Sequence, residues 1–435
     1  MTKLLKLLGV LLAINGAMPA SAQSQFSDLD SSSIQSCLRL EDVLKLSSQR
    51  DPSVIIARAQ ERAADADITD AKSLFRPQIS AFGRSGFGDT GVIDSSISNQ
   101  VGIRASQRVF DFGDSKFAKQ AASFGYEASL EETRQAQYQA ALGTGLFYLE
   151  WIEANQQIET TKRRREYFAR QLESIDSLLE RGGATRTERA SVASQLSNAE
   201  AFVLEIQFRK EQALTQVQID TGSRSQLCAT QPAETTLATQ FKNLGNPESA
   251  AQYALANNPL IKSLEKQADQ LEAVKNREKR SRLPIIDIVA TGSYSSIGGF
   301  DQFEFRDRIG VDVSVPLYSG NAIGARNQRA AARQSIARGR VLDAQRQLRK
   351  DVSITYRRIL SLQSQYESRL DVEEQTRLQF EAAEMEQGFG TKTLRDLVEI
   401  RLEFEQASLE TIRTKYDLIR QQLQLLVLTS NLKIS

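Results

Sequence analysis

The chain has 435 residues, with 55 lysines and arginines against 54 aspartates and glutamates, and it contains no histidine. The missing histidine excludes His-based acid–base catalysis, histidine metal ligands and Ser-His-Asp triads. A net charge near zero gives no sign of nucleic-acid binding, and no phosphate-binding loop or dinucleotide fingerprint is present. The composition therefore predicts no enzyme, no cofactor, no metal site and no nucleic-acid partner.

The first 22 residues are predicted to be a secretory signal peptide. Lys3 and Lys6 form a basic start, residues 4–14 an apolar core, and residues 20–22 a small-residue cleavage site. No cysteine stands at the cleavage site, so a lipoprotein anchor is not indicated. Residues 23–39 are rich in Ser and Asp and are predicted to be flexible. No later apolar run approaches the roughly 18 residues that a membrane helix needs, so any membrane span would consist of strands.

Residues 40–222 are predicted to form a first repeat. A helical pattern runs from Leu40 to about Leu74 and ends before Pro77. Residues 77–110 then read as two strands, because apolar and polar residues alternate, most clearly around Ile103. Residues 114–180 contain no proline and few glycines, which predicts a helix about 100 Å long at 1.5 Å per residue. A glycine-rich turn at 181–187 leads into a returning helix.

Residues 223–246 are predicted to be a linker, and residues 247–435 repeat the same order of elements. This second repeat has a helix, strands at about 284–318, a long helix, a turn at 387–393 and a returning helix. The returning helices carry heptad spacing, as at Val192, Leu196 and Ala199, which predicts a packed helical seam. A plain coiled-coil spacer would not contain four amphipathic strands at equivalent positions of the two repeats.

Three landmarks relate the two halves at one spacing of 207 residues, for example 259 − 52. The related pairs are Pro52 and Pro259, Pro77 and Pro284, and Gly113 and Gly320. A repeat of that size indicates one large structural unit used twice. The predicted fold is mainly α-helical with membrane β-strands, in two repeats that each contain a helix, a β-hairpin and a long helical hairpin.

Four strands cannot close a barrel, and an open strand edge is not tolerated in lipid. Closure therefore needs further copies of the chain, and three copies give twelve strands with room for a lumen. The sequence predicts a ring-shaped homo-oligomer, most simply a homotrimer. The apolar strand face would contact lipid, and the polar face would place Arg104, Arg308 and Asp312 in the barrel lumen. Arg108 lies near a strand end, so it is expected either in the lumen or beyond the membrane rim.

These features together resemble the TolC-type outer-membrane efflux family. The resemblance covers about residues 40–432 and is carried by the Asp-Pro or Asn-Pro near each repeat start and by the proline that enters each strand pair. Pro-Leu-Tyr-Ser-Gly at 316–320 closes the second pair, and Gly-Thr-Lys-Thr-Leu-Arg-Asp at 390–396 looks like the family's second periplasmic turn. The resemblance implies a trimeric twelve-stranded outer-membrane barrel continued by an α-helical barrel in the periplasm of a Gram-negative cell.

The resemblance also implies a passive exit duct for drugs, metals or secreted proteins. Such channels work with a periplasmic adaptor and an inner-membrane pump, either an ABC transporter or a proton-driven one. The alternative is a non-conducting structural or adhesive coiled-coil protein of the envelope. A surface hydrolase on a barrel is a further alternative, against which the missing histidine argues.

Asp396 and Glu399 are the candidate periplasmic gate. Their i, i+3 spacing places them on one helix face just after the second turn, and three chains would supply six carboxylates that attract cations. In the family, carboxylates at these positions constrict the aperture. The alternative is an ordinary exposed acidic face, since Glu403, Glu405 and Glu410 follow on the same helix.

The resemblance also suggests a latch at the closed end. Lys392 occupies a position where the family often has arginine, and Glu188 on the neighbouring hairpin is its expected partner. Gln387 falls where the family can have an aromatic residue. Because lysine lacks the bidentate geometry of arginine, and glutamine lacks the hydrophobic brace of an aromatic ring, a weaker or different latch is expected.

Both turns read glycine, four residues, threonine, and in the family this pattern meets the adaptor. The candidate docking residues are Gly182, Gly183, Thr187, Gly388, Gly390 and Thr393. The spacing from Gly182 to Gly388 is 206, whereas aligning Gly183 with Gly390 restores 207. The alternative is that these glycines only end their helices.

Cys37 and Cys228 are the only cysteines. In an exported protein, two cysteines favour one disulfide. Such a bond would tie the segment before the first helix to the linker before the second repeat, and two free thiols are the alternative.

Overall fold

The computed structural model describes residues 37–88, 96–229, 233–297 and 304–432. The predicted signal peptide and residues 23–36 of the predicted flexible segment lie outside the described residues, as do most of the two predicted inter-strand loops. The described helices and strands belong to one unit, Leu38–Ser435.

The order of elements follows the predicted double repeat. The first repeat holds α1 (Leu40–Arg50), α2 (Pro52–Ser73), β1 (Gln78–Gly88), β2 (Ser96–Phe110), α3 (Asp114–Glu180) and α4 (Arg186–Thr221). Helix α5 (Ala233–Lys242) lies within the predicted linker. The second repeat holds α6 (Pro247–Asn257), α7 (Pro259–Arg280), β3 (Ile285–Ile297), β4 (Glu304–Ser314), α8 (Ala322–Gly388) and α9 (Leu394–Leu428).

The first helical stretch is two helices, where the sequence predicted one. Asp51 has extended backbone angles, and its side chain accepts hydrogen bonds from the Ser53 amide at 2.7 Å and the Ser53 hydroxyl at 2.6 Å. Pro52 then opens α2 at a position where its missing N–H costs nothing. Asn258 caps α7 in the same way before Pro259. The sequence marks this boundary with Asp-Pro at 51–52, but one continuous helix was predicted across it.

The four strands form one antiparallel sheet in the order β1-β2-β3-β4. The register places Arg104 opposite Thr291 and Thr291 opposite Arg308, so these polar residues share one face. Between Arg108 and Phe110 the register shifts by one residue. Such a bulge changes the face to which the following residue belongs, and it brings Phe110 opposite Ile286.

The other face of the sheet is apolar and open to the surroundings. Ile79 is 74% exposed, Ile309 is 80% exposed, and Val311 and Val313 are at least 60% exposed. An apolar face of this extent is unusual on a protein surface in water and marks a contact with another apolar phase. The alternating apolar and polar residues predicted from the sequence thus lie on opposite faces of the sheet.

The two long helices α3 and α8 each contain 67 residues. Each turns back into a shorter helix that packs along it, α4 on α3 and α9 on α8. The heptad residues of α4, among them Val192, Ala199 and Val203, are buried in this packing. None of the described helices combines the length and the apolar composition needed to cross a membrane.

The main core lies around the middle of the long helices. Tyr148 and Trp151 of α3 pack there with Tyr416 of α9. Helix α5 adds Leu237 and Phe241 to the same core. The predicted linker is therefore partly helical and serves to cover the hairpins.

The segment before α1 pairs with the segment after α4. The Leu38 amide donates to the Gln226 carbonyl at 2.8 Å, and the Cys228 amide donates to the Leu38 carbonyl at 2.9 Å. Both cysteines are disulfide-bonded. The Tyr148 hydroxyl donates to the Cys228 carbonyl at 2.9 Å, which connects this segment to α3.

The spacing between the repeats changes from 207 to 208 at the sheet. Helices α2 and α7 begin 207 residues apart (259 − 52), whereas α3 and α8 begin 208 apart (322 − 114). Gly113 precedes α3 with a φ of 95°, and Asn321 precedes α8 with a φ of 67°. Gly113 is thus equivalent to Asn321, and its predicted match with Gly320 is wrong by one residue.

Candidate functional site

The two hairpin turns share one backbone geometry. We call residues 181–185 turn A and residues 389–393 turn B. Gly182 and Gly390 have φ values of 76° and 77°, a left-handed conformation that glycine adopts at the end of a helix. They are 208 residues apart (390 − 182), the spacing of the long helices. Neither predicted alignment, Gly182 with Gly388 or Gly183 with Gly390, is correct, because the extra residue lies upstream in the strand region.

A reciprocal capping box follows each turn. In α4, the Thr185 hydroxyl accepts from the Glu188 amide at 3.2 Å, and the Glu188 carboxylate accepts from the Thr185 amide at 2.8 Å. In α9, Thr393 and Asp396 make the same pair of contacts, both at 3.3 Å. Thr185 is therefore the counterpart of Thr393, and Thr187, which the sequence pattern selected, lies inside the first helical turn.

The predicted gate carboxylates both lie on the first turns of α9, and both are exposed. The hydrogen bond from the Thr393 hydroxyl, at 2.7 Å, is the main cause that lowers the pKa of Asp396. The Thr393 amide and the nearby Lys392 and Arg395 lower it further. Hydrogen bonds from Thr185, mainly that of its amide, likewise lower the pKa of Glu188. Each capping carboxylate thus keeps its negative charge at a lower pH than an unbonded one.

The predicted latch partners do not meet within one chain. Lys392 Nζ lies 3.3 Å from Glu386 Oε2, on the hairpin to which Lys392 itself belongs. Glu188 is held by its own capping box. Gln387 is exposed, and the aromatic residue of turn B stands two positions later. Phe389 is 84% exposed, and it was not predicted because the family resemblance places the aromatic residue at position 387.

A groove of about 290 Å³ separates the first turns of α4 and α9. Thr187, Glu188, Leu394 and Arg395 lie along it. Its apolar end reaches Val192 and Val398, which belong to a buried cluster joining all four hairpin helices. Thr187 is the predicted docking residue that lines this groove.

Farther from the turns, a buried charged cluster joins α3, α8 and α9. Glu405 is 2% exposed; its carboxylate lies 2.6 Å from Arg401 Nε and 3.2 Å from Arg164 Nε. The Arg401 guanidinium lies 4.6 Å from the ring centre of Phe380 and 4.8 Å from that of Tyr167. Burial is the main cause that raises the pKa of Glu405, and the positive charges of Arg401 and Arg164 act in the opposite direction. No sequence motif indicated this cluster.

The predicted lumen residues lie together on the polar sheet face. Arg104 and Asp312 form an ion pair at 3.7 Å, and Arg308 lies two strands from Arg104 in the same row. Arg108 lies at the helix end of the sheet, 3.7 Å from Asp111 and 3.5 Å from Asp287. Arg108 therefore braces the junction between β2, β3 and α3. The described part of the chain contains no cluster of Cys, Asp and Glu suited to a metal ion.

Two segments of the chain, residues 43–223 and 250–431, match the family described as outer membrane efflux protein. The chain is 22% identical over 366 residues to the outer membrane efflux protein BepC of Brucella suis, covering 83% of this chain and 79% of that protein. It is 26% identical over 189 residues to the alkaline protease secretion protein AprF of Pseudomonas aeruginosa, covering 41% of this chain and 38% of that protein.

The fold is similar to that of the CmeC outer membrane channel of Campylobacter jejuni. The TM-score is 0.74 at 16% identity, over 91% of this chain and 86% of that one. The open state of the MtrE outer membrane channel of Neisseria gonorrhoeae gives a TM-score of 0.75 at 16% identity, over 91% and 90% of the two chains.

The family match includes both repeats and most of the chain. The solved channels share its mainly helical fold with β-hairpins. The fold class, the TolC-type resemblance and the outer-membrane location expected from the sequence are confirmed. The chain belongs to the outer membrane efflux protein family, and it is an efflux channel of the outer membrane rather than an enzyme.

Proposed function

We propose that three copies of this chain form the exit duct of a tripartite export system. The duct passively conducts substrates from an inner-membrane pump, through a periplasmic adaptor, to the exterior. The observation that carries this proposal is the four-stranded sheet with one apolar and one polar face, continued by helices of 67 residues.

The sheet edges support the homotrimer. Strands β1 and β4 are the edges of the sheet, and the outer backbone groups of an edge strand need partners in lipid. Pairing β4 of one copy with β1 of the next satisfies both edges, and three copies give a twelve-stranded barrel with a lumen. The exposed apolar face then contacts outer-membrane lipid, and Arg104, Arg308 and Asp312 line the pore.

The helical hairpins support a duct across the periplasm. A helix of 67 residues is about 100 Å long. Turn A and turn B lie at the far end of these helices, and we place the adaptor contact there. The residues proposed for it lie in or beside the turns, namely Gly182, Gly183, Thr187, Gly388, Gly390 and Thr393.

The pump decides the cargo in this scheme. One relative is named as an efflux protein, and two are named as secretion proteins for proteases. Because the duct itself supplies no energy, an ABC transporter or a proton-driven pump would deliver small molecules or polypeptides to it.

Single-channel recording in a planar bilayer tests the duct. Purified oligomer should give small, cation-selective steps, because three copies of Asp396 and Glu399 place six carboxylates near the far end of the pore. Folded, membrane-extracted oligomer that never conducts would overturn the proposal and favour a structural envelope protein.

The first repeat supplies a matched control for the gate substitutions, at Glu188. The paired substitutions Asp396→Asn and Glu399→Gln should reduce cation preference and relieve block by multivalent cations. Glu188→Gln alters the equivalent capping position of α4 and should change selectivity less. Equal selectivity in the wild type and the gate variant would remove Asp396 and Glu399 from the gate.

The latch is tested in the same recordings. Lys392→Gln removes the ion pair with Glu386, and an exposed pair contributes at most about 1 kcal/mol. We therefore expect a modest rise in open probability. A large rise would mean that Lys392 also binds a carboxylate of a neighbouring copy, such as Glu188.

A further inference from the structure

The four helices that flank the strands in sequence form one row. Helix α2 packs on α3, α3 packs on α7, and α7 packs on α8. In the double repeat, α2 is equivalent to α7 and α3 is equivalent to α8. The contact of α7 with α3 therefore has an equivalent, the contact of α2 with α8. Because α2 and α8 stand at opposite ends of the row in one copy, this equivalent contact requires two copies of the chain.

The contact of α7 with α3 is held by ion pairs of one polarity. Lys266 Nζ lies 2.6 Å from Glu127 Oε2, and Arg277 Nε lies 3.2 Å from Asp114 Oδ1. The cations belong to α7 and the carboxylates to α3. Within one copy, the second repeat thus supplies the positive side of this contact and the first repeat the negative side.

A glycine of α3 makes room for a side chain of α7. A β-carbon placed on Gly125 would lie 2.8 Å from Gln270 Nε2. The equivalent residues are Arg333 of α8, 208 positions after Gly125, and Ala63 of α2, 207 positions before Gln270. The large and the small residue have exchanged helices, so each place combines one large residue with one small residue.

The faces that are buried in this contact are exposed in the equivalent helices. Ala128 and Ala273 lie one turn farther along the two contacting faces, and they are 3% and 4% exposed. Their equivalents are Ile336 on α8, which is 56% exposed, and Ala66 on α2, which is also exposed. Each end of the row therefore presents the face with which its equivalent helix binds a neighbour.

The charges of these two faces are complementary. Residues 322–342 of α8 contain five arginines and no carboxylate, and residues 63–71 of α2 contain three aspartates and no basic residue. Asp70 is equivalent to Arg277 and carries the opposite charge. Opposite charges across an interface favour association, and like charges disfavour wrong pairings. The basic stretch of α8 therefore fits the acidic stretch of α2, with the polarity of the contact inside one copy reversed.

The sheet edges lead to the same two helices. Helix α2 ends at Ser73, shortly before β1 begins at Gln78, and β4 ends at Ser314, shortly before α8 begins at Ala322. Pairing β4 of one copy with β1 of the next brings the adjoining ends of α8 and α2 close together. The contact between these helices would continue the contact between the edge strands.

We propose that α8 of one copy binds α2 of the next copy in the way that α7 binds α3 within a copy. Arg329 and Arg333 donate hydrogen bonds to Asp67 and Asp70 of that copy; all four side chains are exposed in a single chain. The partner of this surface is a second copy of the chain. The proposal rests on the ring of copies given under the proposed function and assigns the helices that join it.

Exchange of charges between the two helices tests the contact. The full chain in detergent would be diluted, and trimer and monomer would be counted by native mass spectrometry. Arg329→Glu with Arg333→Glu should raise the concentration at which the trimer dissociates by about tenfold or more, because like charges then face each other. Asp67→Arg with Asp70→Arg should have the same effect. The variant with all four substitutions should recover most of the loss.

Asp65→Arg is the matched control on the same helix. Asp65 is exposed, and it is equivalent to Glu272, whose carboxylate lies 2.8 Å from Arg338 Nη2 of the same copy. Asp65 is therefore expected to face α3 of its own copy. Asp65→Arg should leave the dissociation concentration unchanged, whereas Asp67→Arg alone should raise it. Equal effects of the two substitutions would indicate general charge attraction and overturn the proposal.

The variant with all four substitutions gives the decisive result. If it dissociates as readily as either paired variant, or does not assemble, α8 and α2 do not bind each other and the proposal is overturned. Conductance of the same preparations separates this outcome from the duct. A wild type that conducts without such a recovery would keep the duct and reject the helix contact. A trimer that shows the recovery but never conducts would contradict the duct and leave the contact intact.

Discussion

The buried Glu405 is held by two arginines that come from different helices. Arg164 belongs to α3 and Arg401 to α9, and the aromatic rings of Tyr167 and Phe380 exclude water from the pair. Removing water from charges costs free energy, which only good geometry offsets. The cluster therefore stabilises the hairpins only while all its members are present.

Glu405→Leu should destabilise the protein by about 3–5 kcal/mol, because it leaves two arginines partly buried without their carboxylate. Replacing the trio together, with Arg164→Met, Arg401→Met and Glu405→Leu, should recover most of that loss. Denaturant unfolding of the detergent-solubilised protein measures both. Glu410→Leu, on the same helix but in a half-exposed pair with Arg369, should cost at most about 1 kcal/mol. A Glu405→Leu protein as stable as the Glu410→Leu protein would contradict this account.

Tyr167 makes the stability of the same region dependent on pH in the alkaline range. Burial raises the pKa of Tyr167 to about 12 from an ordinary value of 10. The folded state thus favours the neutral phenol. The contribution of Tyr167 to the free energy of unfolding is therefore complete below pH 10 and is lost as pH rises through about 12. Tyr167→Phe should make the loss of stability above pH 10 shallower. Unchanged alkaline unfolding curves would show that this hydroxyl is not linked to folding.

At the scale of elements, the two capping boxes decide which residues of the turns are equivalent. Thr185→Ala removes the acceptor of the Glu188 amide, and the loss of such a cap costs about 1 kcal/mol. Amide hydrogen exchange in the first turn of α4 should therefore accelerate. Thr187→Ala leaves the cap in place and should have little effect. Faster exchange after Thr187→Ala than after Thr185→Ala would show that Thr187, which the sequence pattern selected, is the more important residue of the turn.

Elements with a local signature could be predicted, and those that depend on packing could not. Strand β2 was visible because Val101 and Ile103 alternate with polar residues, and α3 because its 67 residues contain no proline and few glycines. The exception is the break at Pro52, where the Asp-Pro signal of a helix start was present but one continuous helix was predicted. The charged cluster at Arg401 needs faces of three separate helices to meet, which no spacing within one helix reveals. The gate at Asp396 and Glu399 stays a prediction.

At the scale of the whole molecule, the sheet determines how copies of the chain can join. One copy presents β1 at one edge and β4 at the other, so edge-to-edge pairing is head-to-tail. Head-to-tail contacts give a closed ring if the rotation closes and an open chain if it does not. Helix α2 leads into the edge strand β1, and helix α8 follows the edge strand β4, so the same rotation must close the helical layer.

Cysteine cross-linking across the edges distinguishes the two outcomes. Ala81→Cys on the apolar face of β1 would be combined in turn with a cysteine on the same face of β4, at Phe305, Asp307, Ile309, Val311 or Val313. Because the register between copies is set by backbone pairing, one or two of these combinations should cross-link efficiently, and Ala81→Cys alone should not. The products should stop at the trimer, since a closed ring leaves no free edge. Products that extend beyond the trimer would show an open assembly, and a set without any cross-link would show that β1 and β4 do not meet between copies.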